Sequence, residues 1–209
     1  MDPKPEISAD EALQRLIEGN ERFLRGESQV AGLSRETMAE MARGQRPFAT
    51  ILGCSDSRVA PELIFDAGLG ELFVIRVAGN VLSVEVAGSM QYAVAHLGTP
   101  LVVVLGHEGC GAIQAALATK HQSVQQRSRI QLLVESILPV LDGLDPGLPP
   151  LVQLAQAVEN NVRSTVRTIL ASPEGRARVA EGRVKCVGAI YDIVTGRVRF
   201  LEAPEQASG

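Results

Sequence analysis

The chain has 209 residues, of which 45% are hydrophobic and 3% aromatic, and its formal net charge is −4. This length is enough to bury a sizeable core, and the acidic balance argues against nucleic acid or an anionic membrane as a partner. The sequence shows neither a membrane-spanning apolar run nor a secretory signal pattern. Three cysteines are too few for a disulfide scaffold, so we expect a cytoplasmic protein with free thiols.

The first predicted element is an amphipathic helix from Ser8 to Gly26. Its Ser8-Ala9-Asp10-Glu11 start is typical of a capping box, and apolar residues then recur at helical spacing. A second, shorter helix is predicted from Ser34 to Gly44. Residues 1–44 are therefore expected to form a helical arm, suited to embracing a partner chain, ahead of an α/β core over residues 45–209.

Three continuous apolar runs follow, and they are typical of strands buried on both faces of a parallel sheet. They cover Phe48–Leu52, Leu72–Val77 and Leu101–Leu105. Helices are predicted over Val84–Leu97 and Gly111–Thr119. Strands that alternate with helices indicate parallel pairing through right-handed crossovers.

The rest of the chain is predicted to add helices and then a hairpin at the sheet edge. The fold class is therefore α/β: a central, mostly parallel sheet with an antiparallel edge strand, flanked by helices. No repeat or long linker divides the chain, so we expect a single domain over residues 1–209. The remaining elements are helices over Ser123–Leu141, over Leu151–Ala171 and after Ser172-Pro173, and strands over Val184–Val194 and Arg197–Leu201 around a Thr195-Gly196 turn.

Two short motifs directly follow two of the predicted strands. Cys54-Ser55-Asp56-Ser57-Arg58 comes after the first strand, and His107-Glu108-Gly109-Cys110 comes after the third. Open α/β sheets bind their ligands at the carboxyl ends of the strands, so neighbouring strands would bring Cys54 and His107 together. Two thiolates and one imidazole can hold zinc and leave a fourth, exchangeable position, which is the mark of a catalytic zinc site.

The residues around the two motifs favour the same interpretation. Cys110 lies at the mouth of a predicted helix, where free backbone N–H groups favour a thiolate. Gly53 and Gly106 precede the motifs and are expected to let the backbone turn sharply off the sheet. Asp56 is placed to accept a proton or a hydrogen bond at the fourth position, and Arg58 would hold Asp56 in a bidentate pair.

The two motifs, with Arg76-Val77-Ala78-Gly79-Asn80 between them, resemble the β-class carbonic anhydrases. The resemblance extends from Gly19-Asn20-Glu21-Arg22-Phe23 to Val187-Gly188-Ala189-Ile190-Tyr191-Asp192, which is nearly the whole chain. It implies one Zn²⁺ per chain and reversible hydration of carbon dioxide to bicarbonate and a proton, by attack of zinc-bound hydroxide. It also implies a homodimer or a larger homo-oligomer.

The resemblance further implies roles for individual residues. Cys54, His107 and Cys110 would hold zinc, and Asp56 and Arg58 would form the catalytic dyad. If Arg58 releases Asp56, the carboxylate can itself become the fourth ligand and block the site, so activity is expected to fall below about pH 7.5. The residues that match the substrate pocket of the family are Gln45, Phe73, Ala78, Tyr92 and Gly111.

Several alternatives stay open at this point. Some family members bind inhibitory bicarbonate through a tryptophan that Ile51 replaces here, so we expect the plant-type, non-allosteric subclass. The same zinc site would also suit a carbonyl sulfide or carbon disulfide hydrolase, or a catalytically silent zinc-binding scaffold. Cys186 is expected in the core, and His96 and His121 are expected in surface or cap positions.

Overall fold

The computed structural model describes residues 7–30, 34–122 and 124–202. Five strands form one sheet in the order β2-β1-β3-β4-β5, parallel except for the last pair. The predicted fold class, a mostly parallel sheet with an antiparallel edge strand, is confirmed. The strands are β1 (Ala49–Gly53), β2 (Leu72–Arg76), β3 (Leu101–His107), β4 (Lys185–Tyr191) and β5 (Val198–Phe200).

Helices cover both faces of the sheet. The first and third helices share a buried cluster with one face, and the fourth to seventh share another cluster with the opposite face. Within the described ranges, none of the helices combines the length and the apolar character needed to cross a bilayer. The helices are α1 (Ala9–Arg25), α2 (Arg35–Met41), α3 (Pro61–Ile64), α4 (Val84–His96), α5 (Gly111–Gln122), α6 (Arg129–Ile137), α7 (Pro150–Ala171) and α8 (Pro173–Ala180), with 3-10 turns at Ala78–Asn80 and Leu138–Leu141.

The predicted helix over Ser123–Leu141 is wrong in its first part. Ser123 lies outside the described residues, the next residues are not helical, and α6 begins at Arg129. Ser128 has a φ of +52°, which is incompatible with a right-handed helix. The side chain of Gln131 accepts a hydrogen bond from the backbone N–H of Gln126 and so holds the irregular segment against the first turn of α6.

The predicted helical arm consists of α1 and α2, and α1 packs on its own sheet. Ser8 and Glu11 form the predicted capping box, and Gly26 ends α1 in the left-handed conformation with a φ of +68°. Ala12 and Leu16 are fully buried in the cluster beneath the sheet. The first half of the arm is therefore part of the core of this chain.

Asn20 fastens α1 to two other parts of the fold. Its Nδ2 donates hydrogen bonds to the carbonyl oxygens of Ile64 and Gly196, at 3.1 and 2.9 Å. Its Oδ1 accepts a hydrogen bond from the backbone N–H of Val198 at 2.9 Å. One buried amide thus joins α1, the end of α3 and the β4–β5 turn, and it satisfies backbone groups that would otherwise be buried without partners.

We expect Gly19→Ala to destabilise the protein by about 2–3 kcal/mol, because overpacking at a rigid contact forces the backbone to move. A Cβ atom at Gly19 would lie 1.9 Å from the carbonyl oxygen of Phe65. Urea unfolding measures the change. Glu18→Ala, at the exposed neighbouring position, is the control and should stay within roughly 0.5 kcal/mol of the parent; equal stability of the two variants would contradict this packing.

Small residues let α7 approach the sheet. A Cβ atom at Gly106 would lie 2.5 Å from Cγ2 of Val162, and one at Gly188 would lie 2.8 Å from Cγ1 of the same residue. β3 also continues through Gly106 to His107, so the sharp turn expected at Gly106 is wrong. The glycine is needed for close packing, and this packing brings the neighbouring Asn161 to the carboxyl end of the sheet.

Candidate metal centre

The carboxyl ends of β1 and β3 bring Cys54, His107 and Cys110 together. β1 and β3 are neighbouring parallel strands, so Cys54 leaves the sheet beside the strand end that carries His107. One ligand atom from each of the three side chains lies within 4.8 Å of the other two. All three residues are buried, and His107 is fully inaccessible. The cluster is therefore a buried candidate metal centre.

The imidazole of His107 is oriented for a cation. Its Nδ1 lies 2.9 Å from the carbonyl oxygen of Glu108, so the Nδ1–H group donates to that carbonyl. Its Nε2 is buried and has no hydrogen-bond partner among the described residues. A buried nitrogen lone pair without a partner is unfavourable by itself, and a carbonyl that fixes the tautomer is the usual support of a metal-binding histidine. The residues present therefore fit a metal ion.

The contact between the two thiols shifts their pKa values in opposite directions. A hydrogen bond from the Cys110 thiol lowers the pKa of Cys54, and burial opposes this change less strongly. The same contact, together with burial, raises the pKa of Cys110, although the backbone N–H groups of Ile113 and Ala112 at the start of α5 act in the opposite direction. Metal binding requires deprotonated thiols, so a cation held by the two sulfurs would release any proton that they carry.

Asp56 lies beside the cluster and is held by Arg58. The Arg58 backbone N–H and Nε donate to Oδ1 of Asp56 at 3.0 and 2.9 Å, and Nη2 donates to Oδ2 at 2.7 Å. These bonds keep the pKa of Asp56 well below its usual range, so the carboxylate is ionised at neutral pH. Oδ2 of Asp56 lies 3.9 Å from Nε2 of His107. A fixed negative charge thus borders the place where the ligand atoms converge.

The predicted pocket residues divide into two groups. Ala78 directly precedes Gly79, whose N–H contacts the sulfur of Cys54, and Gly111 directly follows Cys110, so both lie at the cluster.

Within one chain, the other three pocket residues lie away from the cluster. Gln45 precedes the start of β1, whereas Cys54 follows its end. Phe73 is level with Thr50 in the sheet, about 13 Å along the strand from Cys54 at the usual rise per residue. Tyr92 stacks on Phe73 with ring centroids 6.2 Å apart and is 49% exposed.

Two further residues support the site and were not predicted. Arg76 donates from Nε to the carbonyl oxygen of Cys54 at 3.1 Å and from Nη2 to that of Asp56 at 2.6 Å. Asn161 donates to the carbonyl oxygen of Gly79 at 2.8 Å. The Arg76–Asn80 motif was a signal for the first contact, whereas nothing in the sequence singles out Asn161 on α7.

Two of the remaining sequence predictions are confirmed. Cys186 is buried in the core, where burial raises its pKa to about 12. His96 and His121 are exposed on the last turns of α4 and α5. None of these three residues belongs to the cluster.

The mostly parallel sheet and the sulfur–nitrogen–sulfur cluster at its carboxyl edge define an α/β protein with a candidate metal centre. Comparisons with known proteins identify its family. The family model described as "Carbonic anhydrase" matches residues 49–198. Carbonic anhydrase 2 of Mycobacterium tuberculosis is 42% identical over 195 residues, which cover 92% of this chain and 93% of that protein. The carbonic anhydrase of Mycolicibacterium smegmatis is 38% identical over 191 residues, which cover 90% and 91%.

Solved structures agree with this assignment. The β-carbonic anhydrase CcaA is 30% identical with a TM-score of 0.72, covering 93% of each chain. The Coccomyxa β-carbonic anhydrase is 30% identical with a TM-score of 0.73, covering 90% of this chain and 86% of that one. A tetrameric β-carbonic anhydrase of Sordaria macrospora is 26% identical with a TM-score of 0.72, covering 79% and 86%.

The chain belongs to the carbonic anhydrase family, in its β class. Its activity is the reversible hydration of carbon dioxide to bicarbonate and a proton.

Proposed function

We propose that this reaction takes place at one Zn²⁺ per chain, held by Cys54, His107 and Cys110. The observation that carries the proposal is the buried sulfur–nitrogen–sulfur cluster, in which Nε2 of His107 has no hydrogen-bond partner from residues 7–30, 34–122 and 124–202. Three protein ligands leave one position of a tetrahedral site for an exchangeable ligand. Zinc bound there would supply a water molecule that ionises near pH 7.

Asp56 would then orient the reacting water molecule and accept its proton, and Arg58 would hold Asp56 in place. Oδ2 of Asp56 points towards the cluster, and because the carboxylate is ionised it can only accept hydrogen bonds. Arg58 binds both carboxylate oxygens, and this bidentate pair keeps Asp56 beside the ligand set instead of within it. Asp56 would accept the proton, and the half-exposed Arg58 would keep its geometry fixed.

The pocket residues Gln45, Phe73 and Tyr92 would line the substrate pocket of a partner chain. They lie on the surface or half-buried at the other end of the sheet from the cluster of their own chain. In a symmetric dimer, a surface patch of one chain can contact a different patch of its partner, so these residues would lie beside the partner's cluster. The β-carbonic anhydrase of Sordaria macrospora is tetrameric, which supports a homo-oligomer here.

Mixing two inactive variants tests this arrangement. If the pocket residues act across an interface, co-refolding Asp56→Asn chains with Tyr92→Ala chains restores about a quarter of all sites, because each hybrid dimer has one intact and one doubly altered site. Stopped-flow hydration of carbon dioxide measures the recovery. Variants mixed without refolding are the control, and an activity that never exceeds the mean of the two variants would contradict the shared site.

The cytoplasm is the proposed location, since all three cysteines carry free thiols and free thiols persist in reducing compartments.

Substrate choice is tested by supplying carbon dioxide, carbonyl sulfide and carbon disulfide to zinc-quantified protein. We expect rapid proton release from carbon dioxide and no appreciable hydrogen sulfide from the other two. Preferential hydrogen sulfide release would assign a hydrolase, and full zinc content with no turnover would assign a scaffold.

A further inference from the structure

We infer that Asn161 is a positioning residue for the metal-binding sulfur of Cys54 and acts through the backbone of Gly79. This inference rests on the proposed zinc site. Nδ2 of Asn161 donates to the carbonyl oxygen of Gly79 at 2.8 Å, and the N–H of Gly79 donates to Sγ of Cys54 at 3.3 Å. Asn161 and Gly79 are buried, so water does not compete for either bond.

The backbone at Gly79 needs such support. Gly79 and Asn80 both have positive φ values, +68° and +43°, and a non-glycine residue held in this region stores strain that the surroundings must balance. A Cβ atom at Gly79 would lie 3.0 Å from Cδ1 of Ile137 and 3.1 Å from Cβ of Ala112. Crowding and the positive φ both favour glycine here, yet glycine itself imposes no conformation. The bond from Asn161 anchors the carbonyl group of Gly79 and, together with the bond from the Asn80 N–H to the carbonyl oxygen of Val77, holds the turn that presents the Gly79 N–H group to Cys54.

The position of Asn161 follows from the close packing of α7 on the sheet. Val162 fills the space above Gly106 and Gly188, which brings α7 near enough for the preceding residue to reach the 3-10 turn. The segment that contains Arg76 and Gly79 thus holds the Cys54 loop through two hydrogen bonds. Asn161 on α7 holds this segment through a third hydrogen bond.

The chemical consequence concerns the electron density on the sulfur. An N–H group that donates to a metal-bound thiolate withdraws charge from it and fixes its direction, and loss of such outer contacts typically lowers metal affinity 10–100-fold. The Gly79 N–H is the direct contact, so we place the effect of Asn161, one step further away, at the lower end of this range.

The test compares Asn161→Ala with Asn20→Ala. Both asparagines are 4% exposed and donate from Nδ2 to backbone carbonyls, but Asn20 lies on the opposite face of the sheet, with α1. Zinc affinity is measured by competition with a chelator, and the Co²⁺-substituted proteins are compared by their sulfur-to-cobalt charge-transfer band. Thermal unfolding records the loss of stability that both variants share.

For Asn161→Ala, we expect zinc affinity to fall about tenfold and the charge-transfer band to move to longer wavelength. Asn20→Ala should unfold at a lower temperature while its affinity and band match the parent. Asn161→Leu, which removes the donor without leaving a cavity or adding a charge, should reproduce both changes if the alanine variant does not fold.

An unchanged band and affinity in the Asn161 variants, or the same changes in Asn20→Ala, would overturn the inference. A parent protein with no sulfur-to-cobalt band would instead overturn the proposed zinc site.

Discussion

Cys54→Ala should leave the protein folded but reduce its zinc content from about one ion per chain to less than about a tenth, because two remaining ligands hold zinc poorly. Carbon dioxide hydration should fall with the zinc content. Elemental analysis and stopped-flow kinetics on the same sample measure both quantities. The reason is that Cys54 provides one of the three ligand atoms that lie within 4.8 Å of one another in the part of the chain that the structure describes.

Cys186→Ala is the matched control for this prediction. Cys186 is also buried, but it lies away from the cluster and burial keeps its thiol protonated, with a pKa of about 12. Its replacement should cost about 1 kcal/mol of stability and leave zinc content and turnover unchanged. A Cys54→Ala protein with full zinc content and parental turnover would refute the assignment of the ligand.

The second large effect is expected for Asp56→Asn, which should retain zinc and lose about 10²–10⁴-fold in turnover, the usual worth of a positioned proton acceptor. The amide keeps the shape of the side chain, but it removes the negative charge that Arg58 binds. Turnover at saturating carbon dioxide, with zinc content determined on the same sample, is the measurement.

Asp66→Asn is the control for Asp56→Asn, because Asp66 is also a carboxylate paired with an arginine, although it is buried and Asp56 is half-buried. Nε of Arg22 lies 2.6 Å from Oδ2 of Asp66. Burial opposes its ionisation, yet hydrogen bonds from Ser28, Arg22 and Gln29 lower its pKa to about 2. A lowered pKa stabilises the fold above about pH 4 and loses this contribution as the pH falls towards 2.

Asp66→Asn should therefore cost roughly 2 kcal/mol of stability at neutral pH and leave turnover unchanged, since Asp66 does not border the cluster. Equal loss of turnover in the two variants would show that Asp56 contributes only to folding.

The convergence of the three proposed ligands could be predicted because their residues lie in two short motifs at strand ends. Continuous apolar runs identified β1, β2 and β3, and parallel strands necessarily bring their carboxyl ends to one edge. Once Cys54 and His107 were assigned to neighbouring strands, their proximity followed from topology alone. The sequence therefore contained both the donor atoms and the frame that aligns them.

Other features depend on tertiary packing and have no local signal. The packing of α1 on its own sheet depends on Gly19 and Asn20 meeting segments far along the chain. The role of Gly106 depends on Val162, and that of Asn161 depends on the left-handed backbone at Gly79. Such contacts exist only after the chain has folded.

Some expectations stay predictions. They include the single domain, the fall in activity below about pH 7.5 and the non-allosteric subclass, which strong cooperative inhibition by bicarbonate would contradict.

X-ray absorption at the zinc edge of the active protein tests the central claim most directly. We expect about two sulfur neighbours at 2.3 Å, one nitrogen near 2.0–2.1 Å and one further light atom. This ratio corresponds to Cys54, Cys110 and His107 with one exchangeable position. A shell with no sulfur, or a protein that is free of zinc and still hydrates carbon dioxide at the full rate, would contradict the account.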